Sequence, residues 1–221
     1  MRLFCSVERI MNRAMLQERI LETAIREFGK SGFNGASTRQ IASLCDTAMS
    51  SITYHFGGKQ GLYLCCADLI AARMAERLGR IAADLRSREG RMDASEARES
   101  LLRLLDAIAQ LMLDPDSEDW ACFLVREQQN PNEAFDRIYN GVMGDLIESA
   151  VVMLGRARPD MSERARRAQV MLLYGQALVL RTARASVMRG LQVDRLGEAE
   201  TEFLRGMIRA NAEAILDGGS S

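Results

Sequence analysis

The sequence predicts an all-α chain, with an N-terminal three-helix helix-turn-helix module followed by a larger helical domain, about nine helices in all. Three observations carry this. Ala, Leu, Met, Arg, Glu and Gln dominate, and these side chains lose little freedom in a helix. Apolar residues recur at 3.6-residue spacing almost without interruption. The 3 prolines, Pro115, Pro131 and Pro159, all fall where that pattern breaks. No short Val/Ile-rich runs recur between the helical stretches, which argues against a sandwich, a barrel or a doubly wound sheet.

The first helix is expected from about Asn12 to Lys30. Met15, Ile20, Ala24, Ile25 and Phe28 form its apolar face, and Gly32 suits the left-handed position after its end. Ser37 then stands as an N-cap with Gln40 three residues later, a capping box opening a helix from Thr38 to about Cys45. Asp46-Thr47 makes a tight turn, and Asp tolerates a left-handed backbone better than most residues. A short third helix covers about Ala48 to Tyr54. After Gly57-Gly58 a long fourth begins at Lys59 and runs to about Arg86.

A fifth helix is expected from about Ala94 to Leu113 and a sixth from about Ser117 to Gln129. Asn130-Pro131 opens a seventh, Asn as cap and Pro as first helical residue, running to about Leu154. Ser162 caps an eighth, Glu163 to about Arg189, and a ninth spans about Arg195 to Leu216. The Gly-Gly-Ser-Ser end, residues 218–221, is expected to fray. The organisation predicted is a DNA-binding domain over 14–74, with the helix-turn-helix at about 37–56, and a ligand-binding and dimerisation domain over 75–217.

The chain has 221 residues, 48% of them hydrophobic, enough for a substantial core. Its net charge of −1 points to no partner, but the charge is unevenly spread. Residues 1–60 hold 8 basic and 5 acidic side chains, a surplus of +3; the other 161 hold 21 and 25, a deficit of −4. A basic head on an acidic body fits a nucleic-acid module joined to another function. The 5 cysteines are odd in number and form no C-x-x-C, so the chain reads as belonging to a reducing compartment. Cys65-Cys66 as a thiol sensor lacks a basic neighbour to activate it. Residues 1–14 show no signal peptide, and the longest apolar stretch, Val170 to Leu180, is about half the ~20 residues a membrane span needs. A cytoplasmic protein without membrane attachment is expected.

Two short helices joined by a tight turn outline a helix-turn-helix. Ile41, Ala42, Leu44, Ala48 and Ile52 are its expected inward positions. Met49, Ser50, Thr53 and Tyr54 point away on the third helix, a polar face that gains little from packing and is free for a partner. Enzymatic constellations are missing. His is the sole one, His55, and it lies in this unit, where a Ser-His-Asp or Cys-His set has nothing to build on. No H-E-x-x-H, Walker A, dinucleotide or nucleophile-elbow motif occurs. No enzymatic activity, cofactor or metal is expected.

The string Ser37-Thr38-Arg39-Gln40-Ile41-Ala42, then Ile52-Thr53-Tyr54-His55-Phe56-Gly57-Gly58-Lys59-Gln60-Gly61-Leu62-Tyr63, resembles the TetR family of transcriptional regulators. The preceding Ile20-Leu21-Glu22-Thr23-Ala24, Phe28 and Gly32-Phe33 are similar to that family's first helix. Arg126-Glu127-Gln128-Gln129-Asn130-Pro131 and Ala134-Phe135-Asp136-Arg137-Ile138-Tyr139 resemble the CecR branch, with its CerR-type C-terminal domain. Three positions depart from the pattern: Asp46 where the turn usually has Gly, Ala48 where a small polar cap is usual, and Met49 where Lys or Gln is common. Met49 donates no hydrogen bond, so apolar contact with a thymine methyl is its natural role at a base.

The resemblance implies a dimeric DNA-binding regulator, most simply a repressor of a palindromic operator released by a small apolar or amphipathic effector. Thr38 and Arg39 in the first turn of the second helix, and Lys59 at the start of the fourth, suit phosphates, because helix N-terminal amides attract anions. The plain alternative for Lys59 is a solvated surface cation. Ser50, Ser51 and Thr53 can donate to phosphates or touch base edges, and Tyr54 offers a ring and a hydroxyl. His55 either contacts the backbone or packs at the helix end. Effector candidates are Met74, Leu78, Leu105, Ile108, Met112, Trp120, Phe123, Arg126, Glu127, Phe135, Tyr139, Met143, Met171, Tyr174 and Leu178. Most such residues are ordinary core. Arg126 and Glu127 are either polar groups in the pocket or a structural ion pair. Small residues on the last two helices, such as Gly175, Gly206 and Ala210, permit close packing, and the resemblance places the homodimer interface there. The rival reading is a small-molecule binding protein of the same fold with no DNA-binding role; Thr38, Arg39, His55 and Lys59 argue against it.

Overall fold

The computed structural model describes the backbone of residues 2–88 and 90–218, and the side chains from residue 11 within those ranges. The fraying expected of the tail falls mostly on residues 219–221, outside the described residues. Among the described residues all regular structure is helical: α1 Arg2–Gly35, α2 Thr38–Leu44, α3 Met49–Phe56, α4 Lys59–Arg88, α5 Ala94–Leu113, α6 Glu118–Gln129, α7 Glu133–Ile138, α8 Gly144–Ala157, α9 Glu163–Thr182, α10 Arg184–Leu191 and α11 Glu198–Leu216. A 3₁₀ turn, Pro115–Ser117, precedes α6, and a π-helical stretch, Tyr139–Met143, joins α7 to α8 without a break.

The eleven segments exceed the expected nine for identifiable reasons. The eighth expected helix breaks at Ala183, whose φ of −118° and ψ of 29° are not helical. The seventh starts later than expected. Pro131 is not its first residue; Asn132 is the cap, its side-chain oxygen accepting from the Ala134 N–H at 2.8 Å. Gly32 takes a positive φ of 70°, as anticipated, but with ψ of 175° the chain bends there and one further turn follows to Gly35.

The chain forms two compact units. One comprises the residues up to Arg73 together with Asp119–Tyr139; the other comprises Met74–Glu118 and everything from Asn140 onward. The chain crosses between them inside α4, at the start of α6, and within the π-helical stretch. The segment 119–139 therefore groups with the head helices, although it lies in the stretch the sequence assigns to the C-terminal domain.

In the first unit, Ile20, Ala24, Ile25 and Phe28 of α1 are buried, as their spacing predicts, while Met15 is exposed. Ile41, Ala42, Ile52, Leu62 and Cys66 complete this core. Tyr63 of α4 meets Phe28 edge-on at 4.7 Å and Phe123 of α6 at 4.8 Å between ring centroids, an aromatic cluster that ties three helices together. In the second unit α5 is central, packing against α8, α9 and α11. Asp93 caps α5 in a reciprocal capping box with Glu96. Leu101, Leu104 and Ala109 are buried on α5, Leu154 on α8, Leu173 and Ala177 on α9 and Ala212 on α11. Arg205 clasps Asp106 through two hydrogen bonds of 2.7 and 2.6 Å, linking α11 to α5. No described helix is long and apolar enough to cross a membrane.

Candidate nucleic-acid interface

The helix-turn-helix is set by local chemistry. Ser37 is extended, and its hydroxyl accepts from the Gln40 N–H at 3.4 Å, satisfying one free donor at the start of α2. The capping box is only half formed: the Gln40 side chain donates to Glu27 of α1 at 2.9 Å and does not turn back to Ser37. α2 closes at Cys45, and Asp46 takes the left-handed φ of 48°. Ala48 begins α3 without a side-chain cap, but the Thr47 hydroxyl, one residue earlier, shares a 2.9 Å hydrogen bond with Ser51. That bond ties the turn to the first turn of α3 but satisfies no free backbone N–H, so α3 starts uncapped. α3 ends at Gly57, left-handed with φ of 73°. Gly61 is required by space: a Cβ there would lie 1.8 Å from the Phe56 carbonyl oxygen.

This geometry sorts the expected positions. Ile41, Ala42 and Ile52 face inward and are buried. Leu44 and Ala48 do not: Leu44 is 57% exposed and Ala48 is exposed. Cys45, the C-cap of α2, is buried in their place, because it lies four residues from Ile41 and so on the same inward stripe, which Leu44 falls short of. On α3, Met49 is 54% and Tyr54 74% exposed, and Ser50 and Thr53 are exposed beside them. Met49 and Thr53, four residues apart, share an exposed face that flanks the buried Ile52. Ser51 is half-buried and occupied by Thr47, so it faces the turn.

Arg39 is exposed at the first turn of α2, and Thr38 is half-buried. Lys59 sits at the first residue of α4, its ammonium 4.9 Å from the Phe33 ring centroid and donating to the Asn34 carbonyl at 3.5 Å. These contacts hold the cation at a helix N-terminus, where it faces the positive end of the dipole and where only an anion would complete the local charge. His55 is half-buried; its Nδ1 lies 3.3 Å from the Gln17 amide nitrogen, and its ring touches Tyr54 and Phe56. One cation escaped the sequence reading. Arg13 of α1 lies over the Tyr54 ring at 5.5 Å, adding a guanidinium beside α3. Only its place in a basic head hinted at it.

The effector candidates divide between the two units. Trp120, Phe123, Arg126, Glu127, Phe135 and Tyr139 belong to the first; Met74, Leu78, Leu105, Ile108, Met112, Met143, Met171, Tyr174 and Leu178 belong to the second. Trp120 and Phe123 are fully buried core. Met171 is 47% exposed and turned outward on α9. Arg126 and Glu127 do not pair with each other. Arg126 donates to the Gly29 and Lys30 carbonyls at 3.2 and 2.8 Å, and Glu127 accepts from the Tyr63 hydroxyl. Burial, with the Glu127 carboxylate beside it, pushes the Tyr63 phenol well above its ordinary range. A cavity of about 570 Å3 in the second unit is lined by Leu78 with Arg77, Arg80, Ile81, Gln110, Leu111 and Asp114. Another, of about 680 Å3 in the first unit, is lined by Arg126 and Glu127 among others. At the 570 Å3 cavity, burial raises the Asp114 pKa but is outweighed by the Asp116 N–H and Arg77, so its carboxyl sits below the usual range. Burial pushes both Cys65 and Cys66 thiols up, away from thiolate chemistry. No group of three metal-ligating side chains occurs among the described residues.

Comparison with known proteins agrees with this geometry. Residues 20–66 match the family model for bacterial regulatory proteins of the tetR family. Residues 97–219 match that for the C-terminal domain of the HTH-type transcriptional dual regulator CecR. The chain is 25% identical over 205 residues to the HTH-type transcriptional dual regulator CecR of Shigella flexneri, covering 91% of this chain and 92% of that one. It is 32% identical over 100 residues to the HTH-type transcriptional repressor AcnR of Corynebacterium efficiens, covering 45% and 53%. Among solved structures, AibR in complex with isovaleryl coenzyme A and operator DNA shares the fold, with a TM-score of 0.64 at 16% identity over 87% of this chain and 96% of that one. A TetR-like transcriptional regulator from Rhodococcus sp. RHA1 aligns with a TM-score of 0.64 at 19% identity, over 93% and 97%. The chain belongs to the TetR family of helix-turn-helix transcriptional regulators and carries a CecR-type C-terminal domain.

Proposed function

We propose that the chain is a homodimeric repressor that lays α3 in the major groove of a palindromic operator and leaves it when a small amphipathic effector binds the C-terminal domain. The observation that carries the DNA contact is the division of α3 into two faces. Ile52 is buried, while Met49, Thr53 and Tyr54 stand free. Met49 and Thr53 meet base edges; Thr38, Arg39, Ser50, His55 and Lys59 reach phosphates. Half-sites lie about 34–36 Å apart or slightly more. The DNA-binding domain spans 14–74 and the effector and dimerisation domain 75–217.

The dimer forms through the last long helices. Met171, Leu172 and Val179 on α9 and Phe203 and Met207 on α11 are exposed apolar side chains, and a Cβ at Gly175 or Gly206 would meet no atom within 4 Å. Such a stripe costs solubility unless another surface covers it. The 570 Å3 cavity supports an amphipathic effector, since Leu78, Ile81 and Leu111 line it beside Arg77, Arg80 and Asp114. The effector acts by binding the DNA-competent state less tightly than the alternative. AibR, with both isovaleryl coenzyme A and operator DNA bound, illustrates one fold holding both partners.

Selection of binding sites from random duplex DNA tests the reading. One enriched palindrome, with binding that weakens linearly in log salt, is the expected result. Absence of any enriched sequence overturns it in favour of a ligand-binding protein without a DNA role.

A further inference from the structure

The head unit contains its own cavity, of about 680 Å3, and its walls come from parts of the chain far apart in sequence. Ser31 to Asn34 at the α1 bend form one side, Gln60 and Tyr63 of α4 a second, and Arg126 to Glu133 at the end of α6 the third. The bend exists because Gly32 takes a φ of 70°, and a Cβ there would press on the Arg126 side chain at 3.3 Å. Arg126 in turn donates to the carbonyls of Gly29 and Lys30 and so fixes α6 to the bend.

Glu127 is the anomaly in this wall. The residue is only 3% exposed, and one carboxylate oxygen accepts from the Tyr63 hydroxyl. The other, Oε2, is buried and has no hydrogen-bond partner. A carboxylate oxygen shut away from both water and donors costs several times what an ordinary hydrogen bond contributes, so a donor that reaches it binds with unusual benefit. Arg126, the nearest cation in sequence, has its Nε and Nη2 engaged by carbonyls of α1. A second carboxylate, Glu133, lines the same cavity and is exposed. Phe33 supplies aromatic surface, one part of which already carries the Lys59 ammonium at 4.9 Å, while Tyr63 is packed on Phe28, Phe33 and Phe123. An unpaired buried carboxylate oxygen with a second carboxylate at the rim selects for an N–H donor that carries positive charge.

We propose that this cavity is a binding site for an organic cation bearing N–H donors, a protonated amine on an aromatic or aliphatic frame. The ammonium donates to Glu127 Oε2, the frame lies against Phe33, and Glu133 draws the cation in. Asn130, exposed at the rim, is the side chain that turns aside to admit it. Quaternary ammonium ions fit less well, because they have no N–H to give. The site goes beyond the effector cavity of the C-terminal domain: it lies in the unit that holds the helix-turn-helix, and its Gln60 follows Lys59 directly.

The test titrates the full-length protein with tryptamine, and with its neutral analogue tryptophol, while following backbone amide signals by nuclear magnetic resonance. Saturable tryptamine shifts at Gly32, Phe33 and Asn132, with tryptophol at least tenfold weaker, are expected. Glu127→Gln should weaken tryptamine at least tenfold and leave tryptophol unchanged, and Glu133→Gln should weaken it a few-fold. No saturable shift, equal binding of the two compounds, shifts confined to residues 140–218, or undiminished binding to Glu127→Gln would each overturn the proposal. The comparison of the two compounds on the unaltered protein keeps the test decisive even if Glu127→Gln folds poorly. Operator binding without amine is measured separately, so failure of the amine site and failure of the repressor reading are distinguishable.

Discussion

The helix-turn-helix and the stretch from α6 to α8 are built by different means. In residues 37–61 each start and stop has a local cause: the Ser37 cap, the left-handed Asp46, the Thr47–Ser51 bond, the Gly57 terminus and the space demanded at Gly61. From Glu118 to Ala157 the one interruption is residues 130–132, and past the Asn132 cap the helix runs on to Ala157. A π-helical stretch at Tyr139–Met143 carries α7 into α8, and the chain changes compact unit inside it. No cap and no proline lies in Tyr-Asn-Gly-Val-Met, so nothing local ends the helix there. Surfaces fixed locally tolerate little change, whereas those fixed by distant packing can move with what they bind. Five substitutions probe this contrast.

The largest effect is expected where the two regions depend on each other through assembly. Gly206→Arg places a charged side chain on the exposed apolar stripe of α11, where the single chain offers no obstacle. The variant should fold, sediment as a monomer and lose operator affinity by about 10³-fold or more, since one half-site contributes too little alone. A dimer that persists in sedimentation places the interface elsewhere. Gly61→Ala comes next and strikes the locally built region. Its Cβ meets a backbone oxygen that cannot swing away, so the α3–α4 junction must open. A loss of roughly 3 kcal/mol in thermal or denaturant unfolding is expected; a loss under about 0.5 kcal/mol, the range of a surface change, would show that the junction yields cheaply.

How much was legible in the sequence follows the same division. The helix-turn-helix was readable because caps and turns are short-range signals, and the buried Ile41, Ala42 and Ile52 and free Met49 and Thr53 follow from spacing alone. Leu44 was misplaced because apolar character was taken as inwardness, although its angle on α2 points it outward. In the body the start at Glu163 was readable from Ser162. The register break at Ala183 was not, since no Gly or Pro marks it, and the π-helical stretch was not, since Gly141 within it neither caps nor ends a helix. The effector residues were the least legible. Trp120 and Phe123 are buried, which fits a pocket wall as well as plain core, and Glu127 accepts from Tyr63, 64 residues away, which no periodicity reveals.

Lys59→Ala should have a smaller and more uniform effect. If its ammonium meets a phosphate, all DNA sequences weaken together, by about tenfold near physiological salt, and the slope of log affinity against log salt falls by about one. Folding should change little, because the lost contacts to Phe33 and Asn34 are partly exposed. An unchanged salt slope would return Lys59 to a cation held by its own ring and carbonyl.

The smallest change in affinity, and the sharpest in meaning, belongs to Met49→Gln set against Arg39→Ala. Met49 lies on the free face of α3 and makes no bidentate pair with any base, so its contribution to readout is apolar and modest. Gln brings a carboxamide that pairs with adenine N6 and N7, a contact of about 1–3 kcal/mol in discrimination. Total affinity for the original operator should therefore shift only a few-fold, while the selected motif changes at one or two positions in each half-site. Arg39 sits exposed at the start of α2; on the proposed phosphate role, Arg39→Ala should lower affinity for every sequence and leave the motif intact. Selection from random DNA with each variant reads both outcomes in one assay. If the motif follows Arg39 and ignores residue 49, the base-facing side of the module is α2, and the exposure of Met49 and Tyr54 serves another partner.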